Sequence, residues 1–398
     1  MSATSKFKTL TENFTVRVLK AENRELNVPL LSPFTIASSR LDSVNNVAIR
    51  IELSDGCVGW GEAPILPSVT AEDQITAMVK ARETCEFLRE LPEMKLGNAL
   101  KEIGRFLPGH QFASIRAGME MAMIDAAAKS VGMPLWKLFG GASSTITTDI
   151  TIPIVSPAEA SILASKYRKR GFETLKLKVG KNLKADVEVL QAIRAVHPTC
   201  SFILDANEGY QTEEAVRVLE TLHGKKVSES FLGILSLVLS AREMKVTPVL
   251  FEQPVHRDNW EGLSHVTRTA KNRFGVSVAA DESCRGLTDL KKIIEGGIVD
   301  VVNIKLAKTG ILEALEVIEL ARSSGIELMI GGMVETRLAM GFSGHVAAGL
   351  GCFRFIDLDT PLLLSDDPVQ GGYKAWGAVY EFNDEGGHGG YLQWNDVA

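Results

Sequence analysis

After Gly141 the sequence alternates between short apolar runs rich in β-branched residues and amphipathic stretches of helical period. Eight such runs can be counted: 149–155, 174–179, 202–206, 249–252, 276–280, 299–305, 327–331 and 353–357. This texture specifies a parallel sheet covered by helices, because parallel neighbours need a crossover that packs back on the sheet. Eight strands fit a closed (β/α)8-type barrel, with an open sheet as the alternative. Helix signals fall between the runs. Ser156-Pro157-Ala158-Glu159 is a capping box with proline at the first helical position. Over 311–321, Ile311, Leu315 and Ile318 share one stripe, as on a helix packed outside a sheet.

A chain of 398 residues is too long for one ordinary core, so a second domain is expected ahead of the barrel. Residues 14–63 carry short alternating strands, including 14–18 and 47–53, with a turn at Asp55-Gly56. Residues 71–138 are dominated by alanine, methionine, leucine and glutamate and close on Gly132-Met133-Pro134 and Gly140-Gly141, which reads as helical. The expected layout is an α+β domain over 1–140, the barrel and its site over 141–370, and a tail over 371–398 packed on the first domain. The glycine-rich 386–390 segment follows no strand and opens no helix, so it is a loop and not a phosphate cradle.

A net charge of −6, with no basic stripe interleaved with aromatics, argues against nucleic acid as a partner. The longest nearly unbroken apolar stretch, 231–241, is about half of what a bilayer span needs, so no membrane partner is expected. Residues 1–9 are polar and carry neither a secretory nor a transit pattern. Five scattered cysteines without a C-x-x-C pair suit buried free thiols in a reducing compartment, with the cytoplasm as the default.

The chemistry is expected where polar residues interrupt the apolar strands near their C-terminal ends, since barrel sites are built at that rim. Lys176 and Lys178 are two apart and leave the same face of the second strand, so both point inward. Crowding of two ammonium groups is expected to lower a lysine pKa and make Lys178 a usable base. Asp205, Glu252 and Asp281 each follow an apolar run on three successive strands. Converging carboxylates need a cation, and oxygen-only ligands suit Mg²⁺. Asn303 and Lys305 project from the sixth strand, across the barrel from Lys178. A carboxylate substrate between two lysines could lose its α-proton to one and regain a proton from the other, a racemisation or epimerisation, with Mg²⁺ and Lys176 stabilising the enediolate. Histidine offers no H-E-x-x-H pair, His256 is expected to face solvent, and no serine elbow or cysteine–histidine signature is present.

The ordered set Lys176-x-Lys178, Asp205-x-Asn207, Glu252-Gln253-Pro254, Asp281-Glu282-Ser283 and Asn303-x-Lys305 resembles the enolase superfamily, in particular its muconate lactonising enzyme subgroup. Gly59-Trp60-Gly61-Glu62-Ala63 and the 133–141 segment resemble that subgroup's capping domain, so the likeness spans nearly the whole chain. It implies that Asp205, Glu252 and Asp281 ligate Mg²⁺, that Lys178 and Lys305 are the acid/base pair, that Lys176 assists electrostatically, and that Asn207 and Asn303 line the substrate. Whether the capping domain closes over the substrate is left open by the sequence, and residues 31–44 and 59–69 are the segments placed to do so.

Asp357-x-Asp359-Thr360-Pro361 looks like the Asp-x-Asp of dipeptide epimerases, where two carboxylates hold the terminal ammonium of the substrate. The implied reaction is Mg²⁺-dependent epimerisation of a small dipeptide. Succinylbenzoate synthesis, N-acylamino-acid racemisation, cycloisomerisation and a non-catalytic metal-binding barrel are the alternatives, and a homo-oligomer is expected by analogy alone. Two departures stand out. Members preferring L-Ala-D/L-Glu carry an arginine where Ser38 and Ser39 stand, and the nearest here is Arg40, one place on. The spacing between Asp205 and Glu252 is also longer than usual, which implies an insertion around 222–246.

Overall fold

The computed structural model describes residues 5–37, 39–223 and 246–394. The insertion expected around 222–246, its apolar 231–241 stretch and Ser38 therefore lie, apart from the insertion's ends, outside the described residues.

The barrel strands are Ile150–Ile152, Thr174–Lys178, Ser201–Asp205, Leu250–Glu252, Ser277–Ala280, Val301–Ile304, Glu327–Ile330 and Phe355–Ile356. They pair in sequential order in one eight-stranded sheet, and every strand–strand register within it is parallel. The two ends of the sheet meet: Asp149 N donates to Ile356 O at 3.0 Å and Leu358 N to Thr148 Oγ1 at 2.9 Å. Each strand falls on one of the eight apolar runs read from the sequence.

The interior is layered by the two-residue period of a strand. Ile203, Leu250, Ala279, Val301, Met329 and Phe355 form a separate apolar cluster inside the ring. Two residues further along the same strands come Asp205, Glu252, Asp281, Asn303, Gly331 and Asp357. The polar site thus rests on a dry plug, one side-chain layer below it.

Outside the ring, Pro157–Lys169 opens with the expected capping box: Glu159 N donates to Ser156 Oγ at 3.3 Å and Ser156 N to Glu159 Oε2 at 3.0 Å. Helix Ile311–Ser323 buries Ile311, Ala314, Val317, Ile318 and Ala321, with Leu315 half-buried at the edge of the stripe.

The N-terminal domain is a three-stranded antiparallel sheet, Val18–Thr35, Arg40–Leu53 and Val58–Ala63, backed by helices Gln74–Glu90, Leu96–Phe106 and Ala113–Ser130. The 14–18 segment of the sequence reading forms a separate short strand, Thr15–Val16, paired with Met94–Lys95, while 47–53 is the end of a much longer second strand; Pro29 and a register shift before Phe34 interrupt the apolar alternation of the first two strands without ending their pairing. The extension carries the hairpin tip to the barrel mouth, where Ile154 N donates to Thr35 O at 3.0 Å.

Helix Ala113–Ser130 buries every residue from Ala113 to Ala128. Gly59 and Gly61 let it approach the sheet: a Cβ on Gly59 would lie 1.9 Å from Ala122 O, and one on Gly61 2.0 Å from Gly118 O. Between them, Trp60 N donates to Asp125 Oδ2 at 2.9 Å.

The C-terminal segment fastens to the same helix. His388 N donates to Asp125 Oδ1 at 2.9 Å, and His388 Nε2 bonds Trp60 O at 2.9 Å. Of the glycine-rich 386–390 segment read as a loop, only Gly390 enters a strand, Gly390–Tyr391, paired with Gln370–Gly371. All five cysteines are free; Cys85, Cys200 and Cys284 are buried, while Cys57 and Cys352 are only partly so. Among the described residues no helix is long and apolar enough to cross a membrane.

Candidate active site

The polar layer is a network of ammonium and carboxylate groups. Lys176, 1% exposed, places its Nζ 2.6 Å from Asp357 Oδ2, 2.8 Å from Glu252 Oε2 and 3.0 Å from Asp205 Oδ2. Lys178 Nζ donates to Asp205 Oδ2 at 2.6 Å. Across the ring, Lys305 Nζ donates to Asp281 Oδ2 at 2.6 Å, and Asn303 Nδ2 to Glu252 Oε1 at 2.7 Å. Asn207 Nδ2 reaches Glu282 Oε1 at 3.2 Å.

The sequence leads to a lowered lysine pKa from crowding, and the structure reverses it for Lys176. Burial lowers its pKa, but Asp205, Asp357 and Glu252 outweigh burial and raise it well above the usual lysine value. Lys305 is likewise raised, burial being outweighed by Asp281. The carboxylates come from strands distant in sequence, so lysine spacing alone could not weigh them.

The acidic groups divide. Burial raises Asp205, yet Lys176 and Lys178 outweigh it and hold the carboxyl at about 2. Asp281 is lowered further by Lys305 and Lys308 against burial. Glu252 is pushed up to about 7 by burial and by Asp205, and Glu282 to about 8 by burial and Asp281. Asp359 rises to about 7 through burial and the charge of Asp357.

Gln253 explains the Glu252-Gln253-Pro254 motif. At φ 36° its side chain turns inward, where Oε1 accepts from Asp281 N at 2.9 Å and Ser283 N at 3.1 Å, while Nε2 donates to Ser283 Oγ at 2.8 Å. Asn207 and Glu208 also have positive φ, 41° and 70°, so the loops after the third and fourth strands hold uncommon backbone at the rim.

Three residues escaped the sequence reading. Asp149 is buried beside Asp357 and Asp359; it precedes its strand's apolar core, away from the C-terminal end where carboxylates were sought. Glu282 was quoted only as part of a motif, although it is buried and bonded to Asn207. Lys308 lies on the single-turn helix Leu306–Thr309 and reaches back to Asp281 Oδ1 at 2.8 Å, Asp281 O at 2.7 Å and Asn303 O at 2.9 Å. The i+3 spacing from Lys305 was its only trace.

Other expected residues fall as follows. Asp357 accepts from Lys176 through Oδ2 at 2.6 Å, whereas Asp359 accepts from Thr151 N through Oδ2 at 2.6 Å and keeps Oδ1 unpartnered. Arg40 is turned outward, its side chain 63% exposed and 3.4 Å from Asp42, and does not line the cavity. His256 faces solvent as expected.

A cavity of about 40 Å³ lies above the network. Lys176, Lys178, Lys305, Asp357 and Asp359 form its floor, and Phe34, Ile36, Leu41, Leu66, Val69, Met333 and Val334 supply an apolar wall. The capping-domain segments 31–44 and 59–69 both contribute to that wall, through Phe34, Ile36 and Leu41 and through Leu66 and Val69.

Among the described residues no three acidic, histidine or cysteine side chains form a finished cation cage; lysine ammonium groups stand between the carboxylates instead. The donor set nevertheless suits a hard divalent cation. Asp149, Asp205, Glu252, Asp281, Glu282, Asp357 and Asp359 are all buried, against four buried or nearly buried ammonium groups, those of Lys176, Lys178, Lys305 and Lys308. Seven acids against four cations in a poorly hydrated site leave an excess that protonation or a bound cation must relieve, and the donors are oxygens only.

A family model described as mandelate racemase / muconate lactonizing enzyme, N-terminal domain, matches residues 19–140, and one described as enolase C-terminal domain-like matches 159–229 and 238–395. The chain belongs to the mandelate racemase/muconate lactonizing enzyme family. Within it, the chain is 68% identical over 395 residues to an L-Ala-D/L-amino acid epimerase of Populus trichocarpa, covering 99% of this chain and 89% of that protein. Among solved structures, a substrate-liganded L-Ala-D/L-Glu epimerase from Bacillus subtilis superposes with a TM-score of 0.84 at 30% identity, covering 94% of this chain and 99% of the other. A dipeptide epimerase from Enterococcus faecalis, complexed with Mg and L-Leu-L-Tyr, superposes at 0.79 with 29% identity over 94% and 99% of the two chains.

Proposed function

We propose that this chain is a Mg²⁺-dependent dipeptide epimerase that moves the proton on the carbon next to the terminal carboxylate. The observation that carries the reading is the placement of Lys178 and Lys305 at the ends of the second and sixth of eight ring strands, both lining one cavity with the unpartnered Asp359 Oδ1. The epimerase names of the relatives, and the dipeptide and Mg in the E. faecalis complex, support it.

In this reading Asp205, Glu252 and Asp281 would hold Mg²⁺. Bound there, the ion would supply the positive charge that a carbanion next to a carboxylate needs. Lys176 adds a fixed cation on the same side. One of Lys178 and Lys305 takes the α-proton from its face of the substrate, and the other returns a proton to the opposite face, inverting the centre. Asp359, with Asp357 beside it, receives the substrate ammonium, which an N-acylated or succinylated substrate lacks. The apolar wall and the outward Arg40 favour an apolar side chain on the second residue over a glutamyl one. Admission of a dipeptide to so small a cavity requires its apolar wall to open.

The test is ¹H NMR in deuterated water with Mg²⁺ and a panel of L-Ala-L-Xaa dipeptides beside N-succinyl amino acids. Loss of the α-proton signal with growth of the diastereomer, for dipeptides and strongest for apolar Xaa, is the expected result. Turnover of the succinylated compounds alone would overturn the dipeptide reading.

A further inference from the structure

Two buried acids of the site have no use in the proposed reaction: Glu282, which is bonded to Asn207, and Asp149. Asp149 is 4% exposed, and neither of its carboxylate oxygens has a hydrogen-bond partner among the described residues, although its backbone N–H helps close the ring. The groups that face it are Asp357 and Asp359 from the end of the eighth strand, Lys176 from the second, and Tyr380 from the tail strand Val379–Glu381.

None of these offers Asp149 a donor. Lys176 Nζ is taken up by Asp357 at 2.6 Å, Glu252 at 2.8 Å and Asp205 at 3.0 Å. The Tyr380 hydroxyl donates to Leu358 O at 2.9 Å, and the Thr151 N–H is spent on Asp359 at 2.6 Å. An ionised carboxylate accepts only, so a third anion here would be buried, unbonded and beside two others. A proton on Asp149 removes one charge and converts an oxygen into a donor.

We infer that Asp149 is carried as a neutral carboxylic acid that donates its proton to the Asp357 carboxylate, and that this pair positions Asp357 for the substrate ammonium. Burial, followed by the charges of Asp357 and Asp359, raises its pKa well above the usual carboxyl value, in keeping with that geometry. Asp149 is thus a positioning residue: it fixes the orientation of Asp357 and keeps the pocket from gathering an anion that the incoming ammonium would leave unbalanced. The second half of the inference rests on the dipeptide reading; the protonation state does not.

Two measurements test the two halves separately. Infrared difference spectra of ¹³C-aspartate-labelled wild type minus Asp149→Asn at neutral pH should show a protonated-carboxyl band; its absence overturns the neutral acid whatever the substrate is. Steady-state kinetics on a dipeptide then test positioning. Asp149→Asn keeps a neutral donor and should leave KM within about threefold, whereas Asp149→Ala should raise KM by about tenfold or more with a smaller effect on kcat. If Asp149→Asn raises KM as much as Asp149→Ala, Asp149 serves as an anion; if neither changes KM, it does not position Asp357. Should Asp149→Ala fail to fold, the asparagine variant and the infrared band still decide. A protein with the band but no turnover of any dipeptide would overturn the proposed reaction and leave the neutral acid standing.

Discussion

Lys178 and Lys305 stand on opposite arcs of the ring, on the second and sixth strands, each with its Nζ 2.6 Å from one carboxylate oxygen, of Asp205 and Asp281 respectively. Both carboxylates belong to the set that would hold the cation, so each lysine is tethered by a group that has a second claim on it. A proton donor or acceptor on either face of a flat, deprotonated α-carbon is the minimum that inversion requires.

Lys178→Ala and Lys305→Ala should each lower the epimerisation rate by about a thousandfold. The two variants should differ in what survives. Each retains the base for one face, so each should still exchange the α-proton of one configuration with solvent deuterium, and the two should prefer opposite configurations. Nuclear magnetic resonance with the separate L,L and L,D diastereomers reads this directly. A single variant that still epimerises at the wild-type rate would remove that lysine from the acid/base pair.

Chelation of divalent cations should abolish turnover, and Mg²⁺ should restore it. The acid excess at the site provides a readout independent of activity: Mg²⁺ should raise the melting temperature of the wild type, because it binds the folded carboxylates and not the unfolded chain. Asp281→Asn should lose most of that rise. Lys305 and Lys308 both lean on Asp281, at 2.6 and 2.8 Å, so the variant's melting temperature without Mg²⁺ serves as the reference.

The barrel and most of its site were legible because both follow from the period-two geometry of a strand. An apolar residue in the plug and a polar residue two places later, as in Ile203 and Asp205 or Leu250 and Glu252, announce an inward face and its rim. What was not legible depends on approach between distant segments. The raised pKa of Lys176 comes from Asp205, Asp357 and Glu252 on three other strands. Lys308 reaches the site only because a one-turn helix folds it back onto Asp281. Arg40 sits beside the position the family pattern pointed to, yet the strand period turns it outward toward Asp42.

Glu120 joins the two domains through a helix terminus and should give stability a pH slope. Its Oε2 accepts from Ile311 N and, at 3.2 Å, from Leu312 N, at the start of barrel helix Ile311–Ser323. Burial is the main reason its pKa rises to about 7, with Arg116 opposing. Raised above the unfolded value of 4.5, the folded group keeps its proton while the unfolded one loses it. The stability it contributes is therefore complete below about 4.5 and is lost as pH rises towards 7, by at most about 3 kcal/mol. Glu120→Gln cannot titrate, so denaturant midpoints between pH 5 and 8 should fall less steeply than in the wild type. Equal slopes would show that Glu120 does not hold its proton in the folded chain.

Gly59→Ala tests how the N-terminal sheet and helix Ala113–Ser130 meet. The added Cβ would lie 1.9 Å from Ala122 O, 2.4 Å from Ala126 N and 2.8 Å from Ala126 Cβ, and two of these are backbone atoms that cannot rotate away. The strand must therefore move off the helix, which pulls Trp60 N from Asp125 Oδ2 and loosens the carboxylate that also anchors His388. A cost of about 3 kcal/mol is expected, at the upper end for overpacking by one methyl group. The barrel's polar layer is not touched, so the variant should melt earlier yet keep its kcat at temperatures where it remains folded. A melting temperature equal to that of the wild type would mean that the helix and sheet have room the described packing does not give them.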